Sequence, residues 1–331
     1  MKKEKILITG SSGYIGSCLS NYLKYANNVF YLDIKKKNIW NKKQIKNYFQ
    51  CDLLDKKKLK KILLNIKPST IIHLAAQSTV NQKIKKKNYE LNNVQATKNL
   101  LFLMDELKIK KIIFSSTASV YDKSNLLIRE DYKIQPISNY GISKFSAEKL
   151  IQKNKKINHI ILRFFNVAGC IGKPLTGEFH NPETHLIPIS VNRAISKKKL
   201  NIFGNDYLTK DGTCVRDYVH IKDICSAIKS SIKYLNKKKS DILNIGNGEG
   251  VSNRDVILSL NNYFGYKILI NYLKKRKGDQ PILVCDIRKA KKILNWKPKN
   301  SFIKKILLDE IKWAKYLKKK NIKRRFLNVQ K

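Results

Sequence analysis

The chain has 331 residues, 42% of them hydrophobic, which is enough for a sizeable core and, by length, about two domains. Its net charge of +45 raises the question of a nucleic-acid partner, yet only nine of the 69 basic residues are Arg, and the lysines fall in short runs along the whole chain instead of on one stripe. Lysine spread this way reads as a solvated surface shaped by A/T-rich codons. No specific nucleic-acid partner is expected, and no apolar run approaches the roughly 20 residues of a membrane span.

The opening MKKEKILITG puts only Ile6, Leu7 and Ile8 before a glycine, too short an apolar stretch for a secretory signal, so it is read as the first strand of a cytoplasmic protein. ITGSSGYIG follows, with Gly10, Gly13 and Gly16 between this strand and a helix. Glycines there let the backbone turn tightly, let a pyrophosphate approach the amides and let strand and helix pack closely. NVFYLD is the second strand and ends at Asp33, seventeen residues after Gly16. An acid at that point accepts from a ribose 2'-hydroxyl and repels a 2'-phosphate, which favours NAD over NADP.

FQCDLLD, after a third strand, offers Asp52 and Leu53 to an adenine edge and face, although Asp52 or Asp55 as a plain helix cap suits the sequence equally well. STIIHLAA is the fourth strand, followed by the small Ala75 and Ala76. Val80, Ile84, Leu91, Val94, Leu101 and Met104 then recur at helical spacing and predict one long amphipathic helix over 80–107. KIIFSST ends a fifth strand with Ser115, Ser116 and Thr117.

In SNYGISK, Tyr140 and Lys144 are four apart on one helix face. A free tyrosine is a poor base, but a neighbouring ammonium and a positively charged nicotinamide would lower its proton affinity, and it could then take a hydroxyl proton as hydride leaves the same carbon. HIILRFFN supplies another strand. These strands alternating with lysine-rich helical segments predict an α/β protein with a doubly wound parallel sheet of the Rossmann type. Beyond about residue 170, shorter elements punctuated by Gly, Pro and Asn predict a smaller α+β lobe carrying ligand contacts, and KKKNIKRRFLNVQK reads as a loose tail. The six cysteines form no C-x-x-C pair and the five histidines are scattered, so reduced thiols and no metal site are expected.

Over nearly its whole length the chain resembles the extended short-chain dehydrogenase/reductase superfamily and, within it, the UDP-glucose 4-epimerase family. Beyond the superfamily motifs, the likeness rests on LRFFNVAG (162–169), THLIP (184–188), IFGNDYLTKDGTCVRDYVHIKD (202–223), NIGNGEGVSN (244–253) and RKGDQP (276–281). The resemblance implies an NAD-binding domain of residues 1–168 with 218–246 and a nucleotide-sugar domain of 169–217 with 247–331. It implies NAD held by Gly10, Gly13, Tyr14, Ile15, Gly16, Asp33, Asp52, Leu53, Leu74, Asn92, Ser115, Tyr140, Lys144 and Phe165. Tyr140 would be the catalytic base and acid, Lys144 would hold the nicotinamide ribose, and Thr117 would orient the 4-hydroxyl of a UDP-sugar.

The substrate would further meet Asn166, His185, Leu186, the diphosphate clamp Arg216 and Arg276, Asp279 at the uridine ribose, and Leu283 beside C2 of the hexose. Leu283 in place of a bulky Tyr would leave room for an acetamido group. The resemblance also implies a homodimer through the 80–107 helix and the Tyr140 helix. The chain departs from the family at Thr117, often Ser, at Ser78, where some members have Lys, and at His185, where some have Asn. The implied reaction is C4 epimerisation of UDP-glucose and UDP-galactose through a 4-keto sugar. Epimerisation of UDP-N-acetylglucosamine, UDP-glucuronate or a UDP-pentose is the alternative. A 4,6-dehydratase is disfavoured because Ala118 and Ser119, not an acid pair, follow Thr117.

Overall fold

A computed structural model describes residues 4–23, 28–35, 47–78, 84–124, 126–172, 175–180, 182–237, 239–276 and 278–324. Its first half runs β1 (Ile6–Thr9), α1 (Tyr14–Tyr22), β2 (Val29–Asp33), β3 (Tyr48–Gln50), α2 (Lys56–Ile66), β4 (Thr70–His73), α3 (Lys86–Tyr89), a π-helical segment (Glu90–Gln95), α4 (Ala96–Glu106), β5 (Lys111–Thr117), α5 (Asn139–Lys153) and β6 (Asn158–Phe164). There follow β7 (Asn166–Ala168), β8 (Cys170–Ile171), β9 (Thr176–Gly177), α6 (Leu186–Ile195), β10 (Leu200–Phe203), β11 (Val215–His220), α7 (Ile221–Leu235) and β12 (Asp241–Ile245). The chain continues through β13 (Gly250–Ser252), α8 (Asn253–Phe264), β14 (Ile270–Leu273), β15 (Ile282–Leu283), α9 (Arg288–Leu294) and α10 (Ile303–Lys319).

Seven strands form one parallel sheet in the order β12-β6-β5-β4-β1-β2-β3. The strands are rich in Ile, Leu and Val because both faces are covered. Leu19 of α1 and Ile224 of α7 pack with Ile8 and Ile72 on one face, while Leu59 of α2, Leu100 of α4 and Ala147 of α5 pack with Leu7 and Ile71 on the other. The strand order reverses between β1 and β4, and a crevice opens beyond their carboxyl ends, the place where such sheets take ligands. β12, which no sequence-predicted strand covered, completes the sheet beside β6.

A separate core gathers Ile187 and Val191 of α6, Ile202 of β10, Ile257 of α8 and Ile306 of α10. The chain passes between the two cores at β11, where Tyr218 faces one and Val219 the other. The expected assignment of all of 247–331 to the smaller lobe needs correction. Ala290, Leu294 and Trp296 return to the first core, where the Trp296 indole donates to Asp223 O at 3.1 Å and Ser226 Oγ at 2.8 Å.

The predicted single helix over 80–107 is also corrected. Val80 lies outside the described residues, and the helix begins at Lys86 and passes through the π-helical turns. Each such turn holds an extra residue and rotates the apolar face, so Leu91 is 38% exposed while Leu101 and Met104 are buried. Part of the expected loose tail is docked as well: Ile322 packs beside Trp313 and Leu317, and Arg324 pairs with Glu310 at 2.7 Å. The remainder, 325–331, lies outside the described residues. No described helix is long and apolar enough to cross a membrane.

Candidate active site

The crevice is one continuous cleft of about 960 Å³, at the upper end of the range for ligand pockets. Of the residues singled out from sequence, Gly10, Gly13, Tyr14, Ile15, Gly16, Asp33, Asp52, Leu53, Leu74, Asn92, Ser115, Thr117, Tyr140, Lys144, Phe165, Asn166, His185, Leu186, Arg216, Arg276 and Asp279 all line it. Leu283 does not. It pairs with Arg216 across β15 and β11 and packs with Phe165 and Cys285, directly behind the cleft wall that Arg216 and Phe165 form.

At one end, Gly10 turns with φ +70°, and a Cβ there would meet Ala75 N at 2.5 Å, so the ends of β1 and β4 close together only through glycine. A Cβ on Gly16 would meet Gly10 O at 2.1 Å. Asp33 is 7% exposed at the tip of β2, where the amides of Ser12 and Lys35 donate to its two carboxylate oxygens at 2.8 and 3.0 Å. Each oxygen keeps a lone pair for a hydroxyl donor. Asp52 accepts from Leu54 N at 2.9 Å while Asp55 caps α2 through Lys58 N, so Asp55 is the helix cap and Asp52 stands in the cleft wall. A glycine-lined phosphate path with an oriented acid at its end fits a dinucleotide such as NAD.

At the other end stand Thr117, Tyr140 and Lys144. Ser138 caps α5 by accepting from Gly141 N at 3.0 Å, which fixes the first turn and places Tyr140 in the cleft wall with Thr117. Burial pushes the Tyr140 hydroxyl up to about 12, only partly offset by Thr117. Burial also pushes Lys144 down to about 7, against the favourable field of Glu148. The expectation that Lys144 lowers Tyr140 is therefore not met in the ligand-free chain. Desolvation favours the neutral form of both groups and outweighs their neighbours.

Sequence reasoning missed the supports of this pair. Glu148, fully buried one turn beyond Lys144, accepts from Arg163 Nε at 3.0 Å and Nη2 at 2.7 Å and from the Ser116 hydroxyl, tying α5 to β6 and β5. Arg163 Nη1 donates in turn to Tyr121 Oη at 2.9 Å. Asn93, in the π-helical segment, accepts from Gln77 N at 2.7 Å and donates to Ser143 Oγ at 2.8 Å, joining the β4 end to the catalytic helix. A carboxylate four residues after Lys144 was the available signal for Glu148. Nothing in the sequence marked Asn93.

The facing wall is charged. Asn166 Nδ2 is buried there without a hydrogen-bond partner, a donor left for a ligand. Arg216 Nη1 donates to Val215 O and Gln280 O at 2.9 and 2.7 Å, and its Nη2 lies 3.9 Å from Asp279. Arg276 stacks on Phe203, with its guanidinium carbon 3.7 Å from the ring centre. Phe203 belongs to a motif noted in the sequence but was not itself singled out. His185 lies against Glu178 and Glu183; burial opposes its charge, but the two carboxylates outweigh that and hold the imidazole protonated in the ligand-free chain.

The sequence profile of the NAD dependent epimerase/dehydratase family matches residues 6–246. The chain belongs to that family. It is similar to the UDP-glucose 4-epimerase of Lactobacillus helveticus, with 38% identity over 323 residues that cover 94% of this chain and 97% of the relative. Among solved structures it matches the UDP-glucose 4-epimerase of Brucella ovis in complex with NAD, at 29% identity and a TM-score of 0.87, covering 94% of this chain and 98% of that one. It also matches the UDP-Glc/GlcNAc 4-epimerase of Campylobacter jejuni, at 32% identity and a TM-score of 0.81, covering 95% and 99%. The chain thus shares its fold, with the seven-stranded Rossmann-type sheet, with these solved epimerase structures, and belongs to a family described as NAD dependent.

Proposed function

We propose that the chain interconverts UDP-glucose and UDP-galactose by epimerisation at C4, with NAD retained between turnovers. The observation that carries this reading is the pairing, in one cleft, of two hydroxyls and a buried amine at Thr117, Tyr140 and Lys144 with a charged wall at Arg216, Arg276 and Asp279. NAD, when bound, accepts hydride from C4 and returns it. The residues of the chain move the proton: Tyr140, as the phenolate that a positively charged nicotinamide alongside would favour, takes it from the 4-hydroxyl, becomes the neutral phenol, and gives it back to the 4-keto sugar. Lys144, buried beneath, would donate to the nicotinamide ribose. The arginine forks hold the diphosphate while the sugar turns its other face, so the intermediate changes orientation without leaving.

Two finer readings accompany this one. The chain divides into a cofactor lobe and a sugar-nucleotide lobe that meet along β7 and β11. It forms a homodimer through the face bearing Leu91, Phe102 and Ile142, apolar side chains 38%, 53% and 39% exposed on the segments flanking Tyr140. Purified protein incubated with UDP-galactose and no added NAD should yield UDP-glucose. An absence of conversion even after NAD is added would overturn the reading.

A further inference from the structure

Between β9 and α6 the chain reads E-x-H-x-x-E-x-H, from Glu178 to His185, and the fold closes this run on itself. One ligand atom from each of Glu178, His180, Glu183 and His185 lies within 4.8 Å of every other. His180 Nδ1 is 3.0 Å from Glu178 Oε1 and 3.9 Å from Glu183 Oε2, and His185 Nδ1 is 2.8 Å from Glu178 Oε1 and 2.9 Å from Glu183 Oε1. Zinc bonds of roughly 2.0–2.1 Å in a tetrahedron set ligand atoms about 3.3 Å apart, in the middle of these separations.

Simple ion pairs do not account for the arrangement. A single Nδ1–H of His185 faces two carboxylate oxygens at nearly equal distance and can satisfy only one of them well. Glu178 and Glu183 are 2% and 0% exposed, yet Oε2 of each is buried without a hydrogen-bond partner, as is His180 Nδ1. The third acid in the neighbourhood, Glu310, pairs with Arg324 through Oε1, while its Oε2 is buried without a partner as well. Two buried carboxylates and the His180 imidazole keep unpartnered atoms in this cluster, with the His185 imidazole shared between the two acids, and the four together form a donor set for a divalent cation.

The backbone around the cluster holds these positions. Glu183 Oε1 accepts from the amides of Thr184 and His185 at 2.8 and 2.9 Å. The Glu178 carbonyl accepts from the Trp313 indole at 2.6 Å and from Arg324, tying the run to α10 and the segment after it. We infer that Glu178, His180, Glu183 and His185 bind one zinc-class divalent ion that fixes the 178–185 loop as a wall of the cleft. The mixed imidazole and carboxylate set favours zinc or a neighbouring transition metal over magnesium or calcium. Coordination through Nδ1 leaves His185 Nε2 to meet a ligand in the cleft. The ion is structural and takes no part in proton transfer at Tyr140.

The test uses the untagged full-length chain, stripped with a chelator, incubated with zinc sulfate and passed through gel filtration. One equivalent of zinc should remain, and the chelator-stripped chain should melt at lower temperature than the reloaded one. Cobalt(II) in place of zinc should give the visible d–d bands of a four-coordinate nitrogen and oxygen site without strong thiolate charge transfer, which separates this cluster from the six buried cysteines. His180→Gln, a change in a half-buried loop residue, should weaken zinc binding by at least about 100-fold. Failure of the native chain to retain zinc at micromolar concentration, thiolate bands with cobalt, or undiminished binding in a folded His180→Gln variant would each overturn the inference. None of these outcomes depends on turnover, so the epimerase reading stands or falls separately.

Discussion

The wall formed by β1, β5 and α5 meets the cleft with backbone amides, hydroxyls and one buried ammonium, whereas the opposite wall, formed by residues 178–180 and 184–185, β11, Arg276 and Asp279, meets it with guanidinium groups, imidazoles and carboxylates. The first wall sits on a seven-stranded sheet and is stiffened from below by the Glu148–Arg163 pair. The second is built from loops and short strands braced against α10. The difference fits what each would do in the proposed reaction. Proton transfer to a tyrosine needs a dry site, where small changes in charge move proton affinities by large amounts. Holding a diphosphate needs permanent charge that stays paired whichever way the sugar faces.

If the walls divide the work in this way, the largest effect belongs to Tyr140. Tyr140→Phe should lower kcat by about 10²- to 10⁴-fold, the usual worth of a positioned acid or base, while NAD copurifies as before. Removing the hydroxyl leaves the aromatic ring and its neighbour Tyr89, 6.4 Å away between ring centres, to hold the local packing. Turnover of UDP-galactose alongside the bound-cofactor content checks this. A variant that retains near-normal kcat would take the proton-transfer role away from this wall.

Lys144 tests the same wall through stability. Its ammonium is 2% exposed, 4.2 Å over the Phe114 ring, and burial depresses its folded-state value to about 7 from an unfolded value of 10.5. Between those two pH values the unfolded chain binds more protons than the folded one, so stability rises with pH across that window. Below about 7 the buried charge is present in full and costs on the order of a few kcal/mol. Lys144→Met should therefore raise the melting temperature of the NAD-free chain by several degrees at pH 6, with a gain that shrinks toward pH 9, while turnover is lost. A stability gain independent of pH would show that the methionine acts by packing and not by removing a desolvated charge.

The first wall was also the more legible from sequence. Gly10, Gly16, Asp33, Thr117, Tyr140 and Lys144 lie at ends of regular elements, where hydrophobic period and turn chemistry set their positions almost without tertiary information. Glu148 is the exception on that side, because a charged residue at helical spacing reads as a solvated face until β6 brings Arg163 against it. The second wall resisted for a physical reason. Its side chains come from loops and short strands whose paths depend on contacts distant in sequence, such as Trp313 with Glu178, so spacing alone passed over Phe203. The E-x-H-x-x-E-x-H run is local, but its spacing matches no common metal motif, and only the fold between β9 and α6 brings its four side chains together. The π-helical turn at Glu90–Gln95 was hidden as well, since an added residue in a turn leaves the apolar spacing looking continuous.

The smallest expected change sharpens the contrast most. Arg276 lays its guanidinium on Phe203, an arrangement that leaves the edge of the fork free for phosphate oxygens while the face is desolvated by the ring. Arg276→Lys keeps the charge but loses both the fork and the stacking. Because the diphosphate is remote from C4 and is held alike before and during the reaction, the loss should fall on uniform binding: KM for UDP-galactose should rise about tenfold while kcat stays within about threefold. Phe203→Leu, which leaves the fork but removes its platform, should raise KM by less. A fall in kcat at unchanged KM would instead mean that Arg276 acts on the reacting sugar, and the separation between an anchoring wall and a proton-transfer wall would have to be abandoned.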